Sequence, residues 1–273
     1  MTPHPDADAI LAWYAAVRRD LPWRRTTDPY RILVSEVMLQ QTQVVRVVPY
    51  YEAWLERFPS ASALAGASAA DVLRMWSGLG YNRRALALQA ACGVVAREGW
   101  PRTVEGLLAL PGVGPYTAAA VASFAFGVQA AAVDTNVRRV IERIDRRRRR
   151  TPELARRAAA LLPAERAGDW NQALMELGAT VCTARAPACE ACPAASCRSR
   201  GRSHEWDAPP RRAGAAAVRF EDSDRYVRGR IVAALVAGAA LPEGIEPGRL
   251  ERALAGLARD GLIVRDGAAV RLP

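Results

Sequence analysis

Apolar residues recur at helical spacing along almost the whole chain, and alternating strand-like runs are absent before the C-terminus. Asp28 followed by Pro29 is typical of a helix start, because aspartate caps free N–H groups and proline suits the first helical position. Ser68 and Asp71 have the spacing of a capping box, and Asp134 opens a further helix with one apolar face. The pattern therefore predicts an all-α protein.

Two short breaks interrupt this helical pattern. Thr42 is predicted to cap a new helix, which leaves Gln40 and Gln41 in the break before it. The run from Leu110 to Tyr116 contains two prolines and two glycines, so it predicts a tight turn between two helices.

The C-terminal part of the chain follows a different pattern. Residues 201–220 are rich in Pro, Arg, Gly and Ala and predict a linker. Helical patterns follow at about 225–236 and 247–259. Residues 262–272 then predict a hairpin around an Asp-Gly turn. This order of elements predicts a small winged-helix-like module over residues 221–273.

Composition and net charge indicate a negatively charged partner. All 38 basic residues are arginine, and the net charge is +10. A surplus of this size suits a polyanion such as nucleic acid. A GC-rich genome would explain arginine in place of lysine, but not the net excess. The sequence contains no lysine, so the N-terminus offers the only primary amine. Catalysis through a lysine imine is therefore nearly excluded.

Length and hydropathy bound the class of protein. The 273 residues allow two domains or three small ones, and a hydrophobic content of 51% allows a sizeable core. No apolar run reaches the roughly 20 residues of a membrane helix. The N-terminal residues also lack the basic and apolar regions of a signal peptide. We therefore expect a cytoplasmic protein with no membrane contact.

Four clustered cysteines are the strongest chemical signal. Cys182, Cys189, Cys192 and Cys197 are separated by six, two and four residues. In a cytosolic protein this clustering favours metal over disulfides. Four thiolates can hold an iron–sulfur cluster or one zinc ion. The absence of a nearby histidine slightly favours iron–sulfur, but the spacing leaves zinc open.

The glycines of the Leu110–Tyr116 turn suggest an anion site. Gly112 and Gly114 let the backbone around Val113 turn tightly, so that its N–H groups point outward at the start of the next helix. Such a hairpin can bind a DNA phosphate without reading sequence. An ordinary turn between helices is the alternative.

Two carboxylates lie in contrasting surroundings. Glu36 lies in an apolar helix, where burial would raise its pKa and favour the acid form. Asp134 lies at a helix N-terminus, which favours the anion. Such a pair can break a glycosidic bond through an oxocarbenium-like transition state. Taken alone, Glu36 could equally be a paired residue and Asp134 a simple N-cap.

Several motifs together resemble those of A/G-specific adenine DNA glycosylases of the MutY family, within the helix-hairpin-helix superfamily. The resemblance covers about residues 8–200. It rests on six segments that precede the cysteines: Leu21-Pro22-Trp23-Arg24, Ser35 to Thr42, Gly78-Leu79-Gly80-Tyr81, Leu110 to Thr117, Val133 to Val137, and Met175 to Ala179.

The resemblance implies a fold, a cofactor and a partner. It implies a six-helix barrel with the helix-hairpin-helix over residues 24–128. It also implies a domain over residues 1–23 and 129–200, in which the four cysteines hold a 4Fe–4S cluster. The expected partner of this monomeric, nucleoid-associated enzyme is double-stranded DNA containing a mismatch, with the adenine flipped out of the stack.

The resemblance also implies roles for single residues. Glu36 would protonate adenine opposite guanine or 8-oxoguanine, and Asp134 would stabilise the sugar cation. Tyr116 would support Glu36, and Asn136 would position the water or the acid. The residues implied to contact the flipped adenine or the gap it leaves are Arg24, Glu176, Leu39, Gln41 and Tyr81. The residues implied to bind phosphate are Gly112, Val113 and Gly114.

Three further features bear on what the resemblance implies. Relatives such as endonuclease III have lysine at the place of Tyr116, so tyrosine here predicts base removal without lysine-mediated strand cleavage. The last cysteine gap is four residues where the family usually has five. The longer NUDIX-like C-terminal domain that recognises 8-oxoguanine in typical members is also missing.

Two other functions compete with adenine removal. A thymine or uracil mismatch glycosylase would share the barrel and the cluster. The segment Gln40-Gln41-Thr42, together with Arg24 and Glu176, favours adenine. A non-catalytic iron–sulfur DNA-binding protein would not need both Glu36 and Asp134.

Overall fold

The computed structural model describes residues 4–202, 219–267 and 269–273, and it is mostly helical. Its elements are α1 Ala7–Val17, α2 Pro29–Leu39, α3 Val44–Arg57, α4 Ala61–Ala65, α5 Ala69–Trp76, α6 Arg83–Glu98, α7 Val104–Leu108, α8 Pro115–Phe126, α9 Thr135–Asp145, α10 Thr151–Ala160, α11 Ala167–Thr180, α12 Asp224–Val236, α13 Pro247–Arg259, β1 Val264–Asp266 and β2 Ala269–Arg271.

The helix starts predicted from capping residues are confirmed at three places. Asp28 accepts a hydrogen bond from the Tyr30 N–H at 2.8 Å, and Ser68 accepts one from the Asp71 N–H at 3.1 Å. Asp134 caps α9. Each cap satisfies an N–H group that the helix itself leaves without a partner.

The predicted N-cap at Thr42 is wrong. The next helix, α3, begins at Val44, and its N-cap is Gln43 in an extended conformation. Gln41 has a left-handed backbone with φ 57°, which lengthens the break between the helices. The Thr42 hydroxyl therefore donates back to the Gln40 carbonyl at 3.4 Å instead of capping α3.

The described residues fall into two compact units. The first is drawn from Met1–Glu36 and Trp100–Arg212, and the second from Val37–Gly99 and Ala213–Pro273. These bounds do not test the predicted barrel over 24–128 or the cluster domain over 1–23 and 129–200. That division stays a prediction. Residues 203–218 of the predicted linker lie outside the described residues.

The first unit is built around packed helices. Apolar side chains of α1, α9, α10 and α11 form its main core, and three of the four clustered cysteines pack against this core. Gly178 of α11 lies so close to α9 that a Cβ added there would meet the Asn136 Cβ at 2.6 Å. The absence of a side chain at Gly178 therefore sets how closely α9 and α11 approach.

The second unit combines α3–α6 with the C-terminal elements. Helices α12 and α13 are followed by the antiparallel strands β1 and β2, which pair Val264 with Arg271. Val227, Ile231 and Leu257 of these elements share a buried core with Leu73 of α5. The predicted helices and hairpin are confirmed, whereas their description as a winged helix stays a prediction. No helix among the described residues is long and apolar enough to cross a membrane.

Candidate active site

Glu36 lies on α2 and is buried, with 6% of its surface exposed. Burial raises the pKa of its carboxyl group to about 7, and the nearby Asp134 carboxylate adds to this effect. A hydrogen bond with Tyr116 and the charge of Arg24 act in the opposite direction. Glu36 therefore keeps a proton to near neutral pH, as a general acid must.

Tyr116 supplies the polar neighbour of Glu36 from the second residue of α8. Burial raises the pKa of its phenol well above the usual range, and the charge of Glu36 raises it further. The hydroxyl lies 3.8 Å from the Met175 Sδ, which accepts a weak hydrogen bond from it. Tyr116 therefore stays neutral and can donate a hydrogen bond.

Asp134 is held in place at the N-terminus of α9. One carboxylate oxygen accepts a hydrogen bond from the Val137 N–H at 2.7 Å, and the other accepts one from the Asn136 side chain at 3.1 Å. An aspartate in this position is both an N-cap and an oriented negative charge. The structure therefore confirms that Asp134 is an N-cap, while its role as an electrostatic stabiliser stays a prediction.

Arg139 connects Asn136 to the start of the cysteine segment. Its guanidinium donates to the Asn136 side-chain oxygen at 2.8 Å, to the Gly178 carbonyl at 2.6 Å and to the Cys182 carbonyl at 2.8 Å. Asn136 is thereby fixed between Asp134 and Arg139. Sequence reasoning missed Arg139, because nothing distinguishes it among 38 basic residues.

Glu176 forms a second charged group in the same unit. It is buried and accepts hydrogen bonds from Arg19 at 2.7 Å and from Arg24 at 2.7 Å. Burial alone would raise the pKa of Glu176, but the two guanidinium groups outweigh burial and lower it to about 2. Sequence reasoning paired Glu176 with Arg24 and missed Arg19, which is a close neighbour of Arg24 in the chain.

The four clustered cysteines line one pocket, together with Arg143 and Arg200. None of the four is joined in a disulfide, and Arg143 approaches the Cys182 sulfur to 3.4 Å. Within the described residues no three His, Cys, Asp or Glu side chains converge as a metal site. The donor set is nevertheless thiol only, and two guanidinium groups suit an anionic thiolate cluster.

The predicted phosphate hairpin lies between α7 and α8. Gly112 has φ 72° and is exposed, and Gly114 is the N-cap of α8. The N–H groups of Gly112 and Gly114 have no acceptor among the described residues. The Val113 N–H instead closes the turn by donating to the Leu110 carbonyl at 3.2 Å. The free donors are therefore those of the two glycines.

Three further predicted residues lie in the second unit. Leu39 ends α2, and the exposed Gln41 follows it with φ 57°. Tyr81 is 46% exposed and also has a left-handed backbone, with φ 49°. Arg84, which sequence reasoning missed, donates to the carbonyls of Gln40 at 2.6 Å and Gly80 at 3.1 Å. It thus ties the two exposed loops together.

Within the first unit, the structure brings Glu36, Tyr116, Asp134 and Arg24 into electrostatic contact. A buried acid beside an oriented carboxylate is the equipment for cleaving an N-glycosidic bond. The arrangement of these groups thus agrees with the chemistry that the residues suggest.

Comparison with known proteins points the same way. A family model described as "HhH-GPD superfamily base excision DNA repair protein" matches residues 34–164. An adenine DNA glycosylase of Mycolicibacterium smegmatis is 46% identical over 93% of this chain and 91% of its own length. A human adenine DNA glycosylase is 45% identical over 71% of this chain and 39% of its own length.

Solved structures show the same fold. A thermostable thymine-DNA glycosylase superposes with a TM-score of 0.64 at 34% identity, covering 69% of this chain and 91% of that one. A non-covalent endonuclease III–DNA complex superposes with a TM-score of 0.62 at 26% identity, covering 70% and 92%.

Proposed function

The chain belongs to the adenine DNA glycosylase family of the helix-hairpin-helix superfamily, and on that basis we propose that Glu36 and Asp134 perform adenine removal from mispaired duplex DNA. It is a base excision repair enzyme that hydrolyses an N-glycosidic bond. The observation that carries the assignment of residues is the buried Glu36, with a pKa of about 7, beside Asp134.

Glu36 acts as the general acid in this proposal. It gives its proton to N7 of adenine, and the electron pair of the breaking C–N bond passes to the base. The sugar is left with positive charge, which the nearby Asp134 carboxylate stabilises. Tyr116 supports Glu36, and Asn136 positions the water that attacks the sugar carbon.

The side chains offer no amine that could cut the strand after base removal. Strand cleavage through an imine needs an amine, and the sequence contains no lysine. The position of Tyr116 offers a phenol instead. We therefore propose a monofunctional glycosylase whose product is an abasic site in an intact strand.

The remaining predicted residues are proposed to bind DNA. The Gly112 and Gly114 N–H groups at the start of α8, with Val113 shaping the turn, contact a phosphate. Arg24 and Glu176 contact the flipped adenine, while Leu39, Gln41 and Tyr81 face the duplex. The substrate is adenine opposite guanine or 8-oxoguanine, and the protein acts as a monomer associated with the nucleoid.

The four cysteines are proposed to hold a 4Fe–4S cluster. The thiol-only donor set and the adjacent guanidinium groups fit such a cluster, and the family resemblance supports it over zinc, which four thiolates could also hold. When bound, the cluster supplies cross-links that order the segment from Cys182 to Cys197. The predicted cluster domain and barrel, and a winged-helix-like module formed by α12, α13, β1 and β2, complete the proposal.

The test is single-turnover base release from duplexes in which adenine faces guanine. Glu36→Gln and Asp134→Asn should each lower the rate roughly a thousandfold, which corresponds to several kcal/mol of barrier. Binding of the duplex should change little. Glu105→Gln, on an exposed carboxylate of α7, is the matched control and should keep full activity.

Two results would contradict this assignment. Near-normal excision by Glu36→Gln would exclude Glu36 as the acid. Faster release of thymine or uracil than of adenine would favour the alternative substrate. Thymine is included in the test because the chain is 34% identical to a thymine-DNA glycosylase.

A further inference from the structure

Tyr81 is held in a conformation that tyrosine rarely adopts. Its φ is 49°, and the preceding Gly78 and Gly80 have φ values of 97° and 74°. A non-glycine residue in the left-handed region costs about 1–2 kcal/mol, so such strain persists only where the surroundings impose it. The ring is also 46% exposed, although burial is the usual reason to fix an aromatic side chain.

Two arginines fix this ring. The Arg225 Nη1 donates to the Tyr81 hydroxyl at 2.7 Å, and its guanidinium carbon lies 4.9 Å from the ring centroid. Arg84 lies 5.5 Å from the same centroid. Both distances are those of cation–π contacts. Arg84 comes from the helix that follows Tyr81, but Arg225 is 144 residues away in the chain.

Arg225 also contacts a second exposed aromatic residue. It is the second residue of α12, and its guanidinium carbon lies 5.3 Å from the ring centroid of Phe220. Phe220 is 52% exposed and packs edge-on against Tyr226. Tyr81, Arg225 and Phe220 therefore form an exposed row of aromatic, guanidinium and aromatic groups, which we term the Tyr81–Phe220 row.

The Arg225 guanidinium has N–H donors that its hydrogen bond with Tyr81 does not use. A guanidinium carries five N–H donors, and one donor atom of Arg225 is engaged with Tyr81. No carboxylate of the described residues forms an ion pair with it; its neighbour Asp224 instead lies 3.8 Å from Arg249. An exposed arginine between two rings, with unused donors, suits a planar partner that offers acceptors on its edge.

Resting on the proposed function, in which Tyr81 faces the duplex, we propose that Arg225 is a specificity-determining residue that contacts the base opposite the excised adenine. Guanine offers O6 and N7 as acceptors in the major groove. 8-Oxoguanine keeps the O6 acceptor and gains a carbonyl oxygen at C8, while its N7 becomes an N–H donor. On its major-groove edge cytosine presents only an amino donor, which a donor-only guanidinium cannot pair with. The base stacks on Tyr81 while Arg225 donates to its edge.

This proposal gives the C-terminal elements a role in recognition. One side chain at the start of α12 reaches the Tyr81 loop within the same compact unit. Recognition of the opposing purine would then depend on α12 remaining anchored, which Arg249 supports by donating to the Glu221 and Ser223 carbonyls at 2.7 Å each.

The test measures adenine excision under single turnover from four duplexes, in which adenine faces guanine, 8-oxoguanine, cytosine or a tetrahydrofuran abasic analogue. Arg225→Ala should lower the rate opposite guanine and 8-oxoguanine about tenfold or more relative to the abasic duplex. Arg230→Ala is the matched control, because Arg230 is exposed on the same helix but contacts Tyr226 rather than Tyr81. It should leave the ratio between duplexes unchanged.

A double variant separates contact from support of the fold. If Arg225 and Tyr81 act as one unit, Arg225→Ala combined with Tyr81→Ala should discriminate no worse than Tyr81→Ala alone. Equal loss on all four duplexes, or no loss in a variant that melts like wild type, would overturn the proposal.

Binding distinguishes failure of this inference from failure of the proposed function. The Glu36→Gln protein can be titrated with the same four duplexes, with and without Arg225→Ala. If wild type releases no adenine, the proposed function fails. The Arg225 contact still stands if the substitution lowers the affinity ratio of guanine over the abasic analogue, and it falls if that ratio is unchanged.

Discussion

Burial of Glu36 has opposite effects on the fold and on the chemistry. A buried carboxylate anion is unfavourable, and that cost is what holds the pKa near 7. The acid form is the one that protonates the leaving base, so the group is available where an exposed glutamate would already be ionised. The sign of the pH dependence follows from this.

We expect adenine excision to fall as pH rises through about 7, where Glu36 loses its proton. Below that pH the rate should be flat with respect to this group; above it, the rate should fall about tenfold for each pH unit. The measurement is the rate constant at subsaturating DNA between pH 5.5 and 9. A rate that rises with pH over this range would contradict a protonated Glu36.

Tyr116→Phe should shift that profile in a predictable direction. The Tyr116 hydroxyl lowers the pKa of Glu36 through a hydrogen bond, so its removal should move the midpoint to higher pH. The same pH series checks this, with the Tyr116→Phe melting temperature as the control for folding. A midpoint that moves to lower pH would show that Tyr116 stabilises the protonated acid instead.

At the residue scale, the sequence predicted the candidate catalytic residues better than the residues that hold the neighbouring groups in place. The apolar residues around Glu36 and the capping position of Asp134 were visible in the sequence, and the structure confirms both the burial and the cap. Arg19, Arg84 and Arg139 were not predicted. Their contacts run between segments distant in the chain, and an arginine-rich composition hides which arginines are structural.

At the scale of elements, the approach of α9 and α11 controls the position of Asn136. Gly178 leaves no room for even a methyl group against the Asn136 Cβ, at 2.6 Å. Asn136 in turn holds the Asp134 carboxylate at 3.1 Å. A change in helix spacing would therefore reach Asp134 directly.

Gly178→Ala should cost about 1–3 kcal/mol of unfolding free energy and slow excision, because the methyl group forces the two helices apart. Gly93→Ala in α6 is the control, since its added Cβ would meet only the Arg97 guanidinium at 3.7 Å. That change should stabilise the protein by about 0.5–1 kcal/mol. Chemical denaturation of both variants checks the prediction, and equal stabilities would contradict it.

The segment that carries the cysteines allows a direct test of its cofactor. We expect purified protein to be brown, with broad visible absorbance and iron and sulfide in equal amounts, because four thiolates hold the cluster. Cys197→Ser should reduce the iron content, while Cys92→Ser, at a buried cysteine of α6, should not. Colourless protein with one zinc per chain would refute the cluster and support the alternative left open by the spacing.

The boundaries of elements were predictable where a capping residue marks them. The helix of residues 247–259 was predicted to the residue, because proline marks its start and an Asp-Gly pair follows its end. The N-cap of α3 was missed by one residue, since it is Gln43 and not Thr42. Thr42 has the chemistry of a cap, but Gln41 is left-handed, and sequence periodicity carries no information on that conformation.

At the scale of the whole molecule, the C-terminal elements belong to a core that begins in α5. Leu73 is 1% exposed and packs with Val227, Ile231 and Leu257, while Leu86 of α6 packs against the same cluster. Composition alone separated these elements from the rest of the chain. The sequence did not show which hydrophobic surface joins them to α5 and α6. Leu73 has the spacing of an ordinary buried position within its own helix, so nothing marks it as a contact for distant elements.

Deletion of residues 203–273 should therefore expose Leu73 and Leu86 and lower the melting temperature by several degrees. This loss of stability is expected in the absence of DNA. Leu73→Ala provides the comparison. It should cost about 2–5 kcal/mol in the full chain and much less in the truncated one, where the cavity it leaves no longer exists. A truncated chain that melts like wild type would contradict this shared core.

The shared core also has a genetic consequence. A premature stop codon before α12 would leave Leu73 facing water, so the product would be removed by cellular proteases before its substrate preference mattered. Recombination that exchanged these elements for another C-terminal domain would need matching substitutions at Ala70, Leu73 and Leu86. A lineage that carries α12, α13 and the hairpin is thus constrained to inherit them together with α5 and α6, against which they pack.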